Sequence, residues 1–203
     1  MKRILLYKRF ERFWHWMQAL LIIALAFTGF VLHGSIDAIP YGLAHKLHTT
    51  FLWALLGLWA FAIFWHFTTG EWKHYIPTTK KLKEVILYYA VGIFKGEEHP
   101  YDRTPQRKLN PLQRVAYLGL KLILNPGIII SGLLYLFYNE WPPAIANLFS
   151  LEFVAIAHTA FAFLMCAFVV IHVYMTTVGH TVSGHIKAMI TGYEDVNEHT
   201  PAE

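Results

Sequence analysis

Four runs of apolar residues, at approximately 13–33, 47–68, 115–138 and 153–177, set the pattern of the chain. Each exceeds 20 residues, and at about 1.5 Å of rise per helical residue each can cross the roughly 30 Å of a bilayer's hydrocarbon. Two of the connections, GSIDAIPYGLA and NEWPPAIANLFSLE, are short and broken by Gly, Asp or Pro, so they join antiparallel neighbours. The third, 71–112, is long and charged. The pattern predicts an all-α fold: a single domain over 1–203, built as an integral membrane four-helix bundle. Within 71–112, KLKEVILYYAVGIF interleaves charged and apolar positions. It reads either as an amphipathic helix on the membrane face or as a packed surface helix. The third run is interrupted by Asn125-Pro126-Gly127. Pro126 has no amide to donate, which frees a carbonyl and kinks a helix.

Composition agrees with a membrane protein: 56% of the 203 residues are hydrophobic, 16% aromatic and 15% charged. Charge adds orientation, because Lys and Arg collect on the cytoplasmic side. Five basic residues precede the first span, nine lie from Lys73 to Arg114, and Lys187 follows the fourth span. Lys46 alone falls on the opposite side, and Lys121 is the one formal charge inside a span. Both termini are therefore expected in the cytoplasm, with the chain in a bacterial-type inner membrane. The net charge of +4 follows from this asymmetry and gives no reason to invoke nucleic acid. The basic N-terminus before an apolar run resembles a secretory signal, but the run is long and lacks a small-x-small cleavage site, so it reads as a retained span. The single cysteine, Cys166, allows neither an intrachain disulfide nor a CxxCH haem attachment.

The chain has twelve histidines, and those inside hydrocarbon need an explanation, because a polar ionisable group is costly there. The predicted topology places His15 near the inner end of span one and His48 near the outer end of span two. It places His158 and His172 near the outer and inner ends of span four. Fourteen helical residues rise about 21 Å and leave two side chains within roughly 40° of one face. His158 and His172 thus point the same way at two depths, with His48 available at the outer depth and His15 at the inner. Opposed neutral imidazoles without a carboxylate or thiolate suit haem iron with two axial histidines. Zinc asks for more ligands, and a proton relay more often includes a membrane Asp or Glu. A histidine-lined proton or metal carrier remains the transport-class alternative. His45, three residues before His48, shares nearly the same helical face and is the alternative outer ligand. His33, His66, His74, His99, His180 and His185 lie near span edges or outside, where solvated or snorkelling roles are expected. Haem propionates need cations near the membrane surfaces: Lys46 on the outer side, and Arg12, Arg114 and Lys121 on the inner.

The segments ERFWHWMQALL, LHTTFLWALLG, HTAFAFLMCAFVVIHVYM and GHIKAMITGY resemble those of the four-helix di-haem cytochrome b subunits of membrane formate dehydrogenases, thiosulfate reductases and nickel–iron hydrogenases. The resemblance covers nearly the whole chain. It implies two haem b groups, an outer one held by His48 and His158 and an inner one by His15 and His172. It also implies a site for menaquinone or ubiquinone near the inner haem, at a tract of the form Tyr-Asn-x-x-Gln-Lys. Here the tract reads Leu109-Asn110-Pro111-Leu112-Gln113-Arg114, so Asn110 and Gln113 match while Leu109 and Arg114 depart. The amide pair can equally cap the following helix. The partners implied are an iron–sulfur or multihaem cytochrome subunit and a catalytic subunit on the outer side. The expected role is a membrane anchor carrying electrons between that partner and the quinone pool, with no substrate-converting site of its own. The enzyme-class alternative is a stand-alone di-haem quinone oxidoreductase that oxidises superoxide.

Overall fold

Each apolar run folds as helix that begins ahead of the run, because backbone hydrogen bonding continues into the polar N-terminal flank. In the computed structural model, which describes residues 2–97, 100–101, 104, 107–178 and 183–196, the order begins with β1 (Lys2–Leu5), α1 (Arg9–Leu32) and α2 (Tyr41–Thr69). There follow α3 (Leu82–Ala90), α4 (Pro111–Gly119), a π-helical turn (Leu120–Leu124), α5 (Asn125–Leu136) and the one-turn α6 (Pro143–Ala146). The order closes with α7 (Leu151–Thr176), α8 (Gly184–Thr191) and β2 (Tyr193–Val196). Four helical segments, Arg9–Leu32, Tyr41–Thr69, Pro111–Leu136 and Leu151–Thr176, are long and apolar enough to cross a membrane. His99, His180 and the 197–203 tail lie outside the described residues.

Two expected boundaries shift for local reasons. Pro40, in extended conformation, sits at the N-cap of α2, so Tyr41 to Ala44 are helical rather than loop. The interruption expected at Pro126 takes the form of a π turn, in which the Asn125 N–H donates to Leu120 O, five residues back. Widening the turn lets the chain pass the proline while its backbone groups stay bonded within the segment.

The chain forms two compact units. The first comprises Met1–His74, Arg103–Lys108 and Ser183–Glu203. Here α1 and α2 run antiparallel, as the order of their contacts shows. Phe10 meets Trp65 with ring centroids 4.7 Å apart, Trp59 Nε1 donates to Gln18 Oε1 at 3.2 Å, and Thr28 meets His48. The ends of this unit carry a feature the apolar pattern does not announce: β1 and β2 pair antiparallel, with Leu5 opposite Tyr193. Gly192 ends α8 with φ of 93°, and its carbonyl accepts from the Leu6 and Tyr7 amides. A Cβ at Gly192 would stand 2.8 Å from Tyr7 O, so both the left-handed backbone and the close approach require glycine.

A buried ionic cluster ties the same unit together. Lys108 Nζ donates to both Glu11 oxygens, at 2.8 and 2.9 Å, and to Glu71 Oε2 at 2.8 Å. Lys8 pairs with Glu71, its own amide donates to Glu11 Oε2 at 2.7 Å, and His74 Nε2 lies 3.2 Å from Glu71. Glu11, Glu71 and Lys108 are 8%, 7% and 5% exposed, so each depends on the others for solvation.

The second unit comprises Tyr75–Asp102 and Leu109–Val182. The α4–α5 segment and α7 are antiparallel: Tyr117 meets Phe168 and His172, and Ser131 meets His158. The helix expected within KLKEVILYYAVGIF is α3. Its Val85 is fully buried while Ile86 and Leu87 are exposed, so it packs inward on one side and presents an apolar face on the other.

Replacing Lys108 by Met removes the cation that two buried carboxylates share and is expected to cost about 3–5 kcal/mol, measurable by denaturant unfolding in detergent. Burial alone would raise the Glu71 carboxyl, but the hydrogen bonds and charges of Lys108 and Lys8 lower it to about 2. A depressed carboxyl stabilises the fold above its unfolded value of about 4.3. That contribution is lost as the pH falls from there through about 2. Tm measured against pH should therefore drop over this acid window, and Glu71→Gln should flatten the drop.

Candidate functional site

In the first unit, His48 enters α2 two turns after Pro40 and packs against the Thr28-Gly29 dipeptide of α1. Its Nδ1 is 2.9 Å from Thr28 Oγ1. Thr28, 1% exposed, also reaches back to Ala24 O at 2.8 Å and Leu25 O at 3.2 Å. The nearest approach to Gly29 comes from the same ring: a Cβ there would lie 3.4 Å from His48 Cε1. His45 is exposed, so of the two neighbouring histidines it is His48 that meets the adjacent helix.

The second unit repeats this arrangement. His158 of α7 packs on Ser131-Gly132 of α5, with Nδ1 3.2 Å from both Ser131 Oγ and Ile128 O. Ser131 Oγ lies 2.7 Å from Gly127 O and 3.2 Å from Ile128 O. A Cβ at Gly132 would fall 2.9 Å from His158 Cε1, closer than a side chain can sit. Farther along α7, His172 Nδ1 lies 3.4 Å from the Tyr117 hydroxyl, and its ring is parallel to Phe168 at 6.0 Å.

His15 of α1 is half-buried, with its ring perpendicular to Trp16 at 5.1 Å. His66 differs from its expected solvated role: it is 7% exposed, and its Nδ1–H donates to Ala62 O at 2.6 Å. Trp14 and Trp65 both meet it edge-on at 5.1 Å. Position near the end of an apolar run had marked His66 as peripheral, whereas antiparallel packing brings Trp14 over it. The nearby tryptophans were the only sequence signal of that burial.

The candidate cations occupy varied settings. Arg12 Nη1 donates to Ile190 O at the end of α8, a favourable place for a cation because last-turn carbonyls lack helical partners. Arg114 donates to Leu109 O at 3.1 Å and Ile76 O at 3.2 Å. Lys121 places its ammonium 3.2 Å from the centroid of the Tyr75 ring, while Lys46 is exposed. Asn110 and Gln113 form a reciprocal cap on α4: the Gln113 amide donates to Asn110 Oδ1 at 2.8 Å and the Asn110 amide to Gln113 Oε1 at 3.0 Å. Asn110 is 1% exposed, and its Nδ2 donates to Tyr89 OH at 3.3 Å.

Among the described residues, no three His, Cys, Asp or Glu side chains gather as a metal-ion site. The donors are separate imidazoles, each on an apolar helix, and three of them have Nδ1 beside a hydroxyl. That donor chemistry would fit haem iron, which takes single neutral imidazoles as ligands.

Comparison with known proteins points the same way. A family described as prokaryotic cytochrome b561 matches residues 6–192. Over 199 residues the chain is 31% identical to the Escherichia coli (strain K12) protein named "Putative cytochrome YdhU", covering 95% of this chain and 75% of that one.

The glycine contacts give a graded test. Gly132→Ala forces a methyl group onto the His158 ring and is expected to destabilise the protein by about 1–3 kcal/mol, as overpacking does. Gly29→Ala, with more room, should cost less. Thermal unfolding of the two variants in detergent checks the order.

Proposed function

The chain belongs to the prokaryotic cytochrome b561 family and is a multi-pass membrane haem protein; from that premise we propose that it is the di-haem anchor of a respiratory oxidoreductase complex. In this reading it carries electrons between an outer-side redox partner, an iron–sulfur or multihaem subunit with its catalytic subunit, and menaquinone or ubiquinone in the inner leaflet. Both termini face the cytoplasm. The supporting observation is the matched seating of His48 on Thr28 and His158 on Ser131. Two imidazoles held this way in apolar helices are rigidly oriented, and a bound redox centre needs ligands that do not move.

His48 and His158 would ligate the outer haem, His15 and His172 the inner. Haem supplies one-electron redox chemistry at each position. The protein residues hold and tune it. Tyr117 orients His172, and Phe168 and Trp16 flank the inner histidines with apolar rings. Lys46, two positions from His48, would pair with the outer propionates. Arg12, Arg114 and Lys121 supply positive charge at the inner end, with Arg12 and Arg114 also fastened to backbone carbonyls. The buried Asn110–Gln113 cap would shape the wall of the quinone site. Pairing the two amides with backbone groups fixes the start of α4, so the site has a defined edge.

A reduced-minus-oxidised spectrum of the purified protein should show b-type bands with about two haems per chain. His158→Ala should remove one haem and His172→Ala the other; two full equivalents in either variant would show that the pairing is wrong. Asn110→Ala should slow oxidation of the reduced haems by added quinone, and unchanged kinetics would move the quinone site elsewhere. Copurification of large hydrophilic subunits separates the complex-bound role from a stand-alone quinone oxidoreductase, which would be isolated without them.

A further inference from the structure

A hydroxyl group has one hydrogen to give, and a carbonyl oxygen has none. Thr28 Oγ1 has its closest acceptor in Ala24 O, at 2.8 Å, with Leu25 O at 3.2 Å. Its hydrogen is therefore directed to the backbone of its own helix. Toward His48 Nδ1, 2.9 Å away, the oxygen is left to accept, so the proton of that hydrogen bond belongs to Nδ1. The second unit yields the same answer by two routes. Ser131 Oγ gives its hydrogen to Gly127 O at 2.7 Å and accepts from His158 Nδ1. Ile128 O, also 3.2 Å from that nitrogen, can only accept. Both rings are thus fixed as the Nδ1–H tautomer, with the lone pair on Nε2.

Hydroxyl back-bonding to a carbonyl four residues earlier is common in apolar helices. Here, two helices add the same further contacts: the hydroxyl accepts from a histidine of the facing helix, and the next residue is a glycine lying under that ring. The two sequences, Phe27-Thr28-Gly29-Phe30 and Ile130-Ser131-Gly132-Leu133, share only the hydroxyl–glycine pair within apolar surroundings. A carbonyl accepting from the hydroxyl polarises it and makes its oxygen a better acceptor. The imidazole that donates to it becomes a more basic ligand, which favours the oxidised metal.

We propose that Thr28 and Ser131 are positioning residues of the same kind, which present Nε2 of His48 and of His158 to haem iron and set low the potential of the haem so held. This rests on the reading that those two histidines are haem ligands. Neither hydroxyl touches the iron; each acts through its histidine.

The test uses the full-length haem-loaded protein in detergent, with redox titration of both haems and low-temperature EPR of the low-spin ferric signals. The haem that disappears in His158→Ala identifies the outer centre. Thr28→Val keeps the side-chain volume and removes the hydroxyl, and Ser131→Ala removes the other. Thr28→Val is expected to change the reduced-to-oxidised ratio of the outer haem at fixed potential by about fivefold, the equilibrium effect of one hydrogen bond, and Ser131→Ala, which leaves Ile128 O to accept from His158 Nδ1, to change it in the same direction by less. For a one-electron couple about fivefold is an upward shift of about 40 mV. The inner haem should stay put, the outer haem's EPR signal should move with its potential, and Thr28→Ser should restore the parent values. If Thr28→Val does not accumulate, Ser131→Ala and Thr28→Ala carry the same comparison. Unchanged outer potentials in variants that retain both haems, or equal shifts in both haems, would overturn the proposal. Two haems retained in His158→Ala would instead overturn the ligand assignment beneath it. Loss of one haem there, with potentials indifferent to the hydroxyls, would leave the ligands standing and remove only the positioning role.

Discussion

Hydrocarbon offers no hydrogen-bond partner, and this one constraint governs most of the polar geometry of the chain. Every amide and carbonyl in the four long helices must be satisfied from within the protein. Near Pro126 the chain meets this demand by widening to a π turn. Thr28 and Ser131 meet it by turning their hydroxyls back on their own helices. Histidine is subject to the same demand, since a neutral imidazole buried among apolar residues needs somewhere to place its N–H. His66 uses the carbonyl four residues back; His48 and His158 use hydroxyls on a neighbouring helix. The difference matters chemically, because the first arrangement is local to one helix whereas the other two lock the ring to a second one.

The polar groups outside the spans follow another rule. Glu11, Glu71 and Lys108 are almost as buried as the apolar core, yet they are charged and satisfy one another. Such a cluster contributes little net stability compared with well-packed apolar residues, but it is intolerant of losing a member. It joins the start of α1 to the segment following α2 and to residue 108, three stretches far apart in sequence. The β1–β2 ribbon, the Arg12 bond to Ile190 O and the Trp16 bond to Met189 O bring the C-terminal segment to the same helix. The first turns of α1, where His15 lies, are therefore held from several directions, which would keep that histidine in a fixed orientation.

The two units are not copies in sequence, and their helices differ in length and regularity. Each nonetheless seats a histidine on a hydroxyl–glycine pair. A small residue allows the ring to come against the facing backbone, and the hydroxyl then lies within reach of Nδ1. Both requirements follow from the size of imidazole and the spacing of packed helices, so the recurrence reflects a shared physical solution.

By itself the sequence determined the features that depend on local periodicity. Four apolar runs long enough to span a bilayer, the amphipathic α3, the interruption at Pro126 and the fourteen-residue spacing of His158 and His172 were all legible, because helix geometry converts spacing directly into length and face. Likeness to prokaryotic b-type cytochromes was legible in the sequence as well, in motifs that lie mostly on those helices. Tertiary structure alone decided which polar atoms meet across helices. Nothing local distinguishes Thr28 from the other threonines, or Ser131 from any serine in an apolar run, until the facing histidine is in place. His66 looked peripheral until Trp14 covered it, and the strands at the two termini had no signal because their pairing joins residues nearly the whole chain apart. The Asn110–Gln113 pair lay between these cases: its cap is local and was foreseen as one of two readings, while the burial of Asn110 beside Tyr89 needed α3 to fold back. Local spacing fixes where a side chain lies along and around its own helix, but its protonation and partners depend on neighbours that only the packed chain supplies.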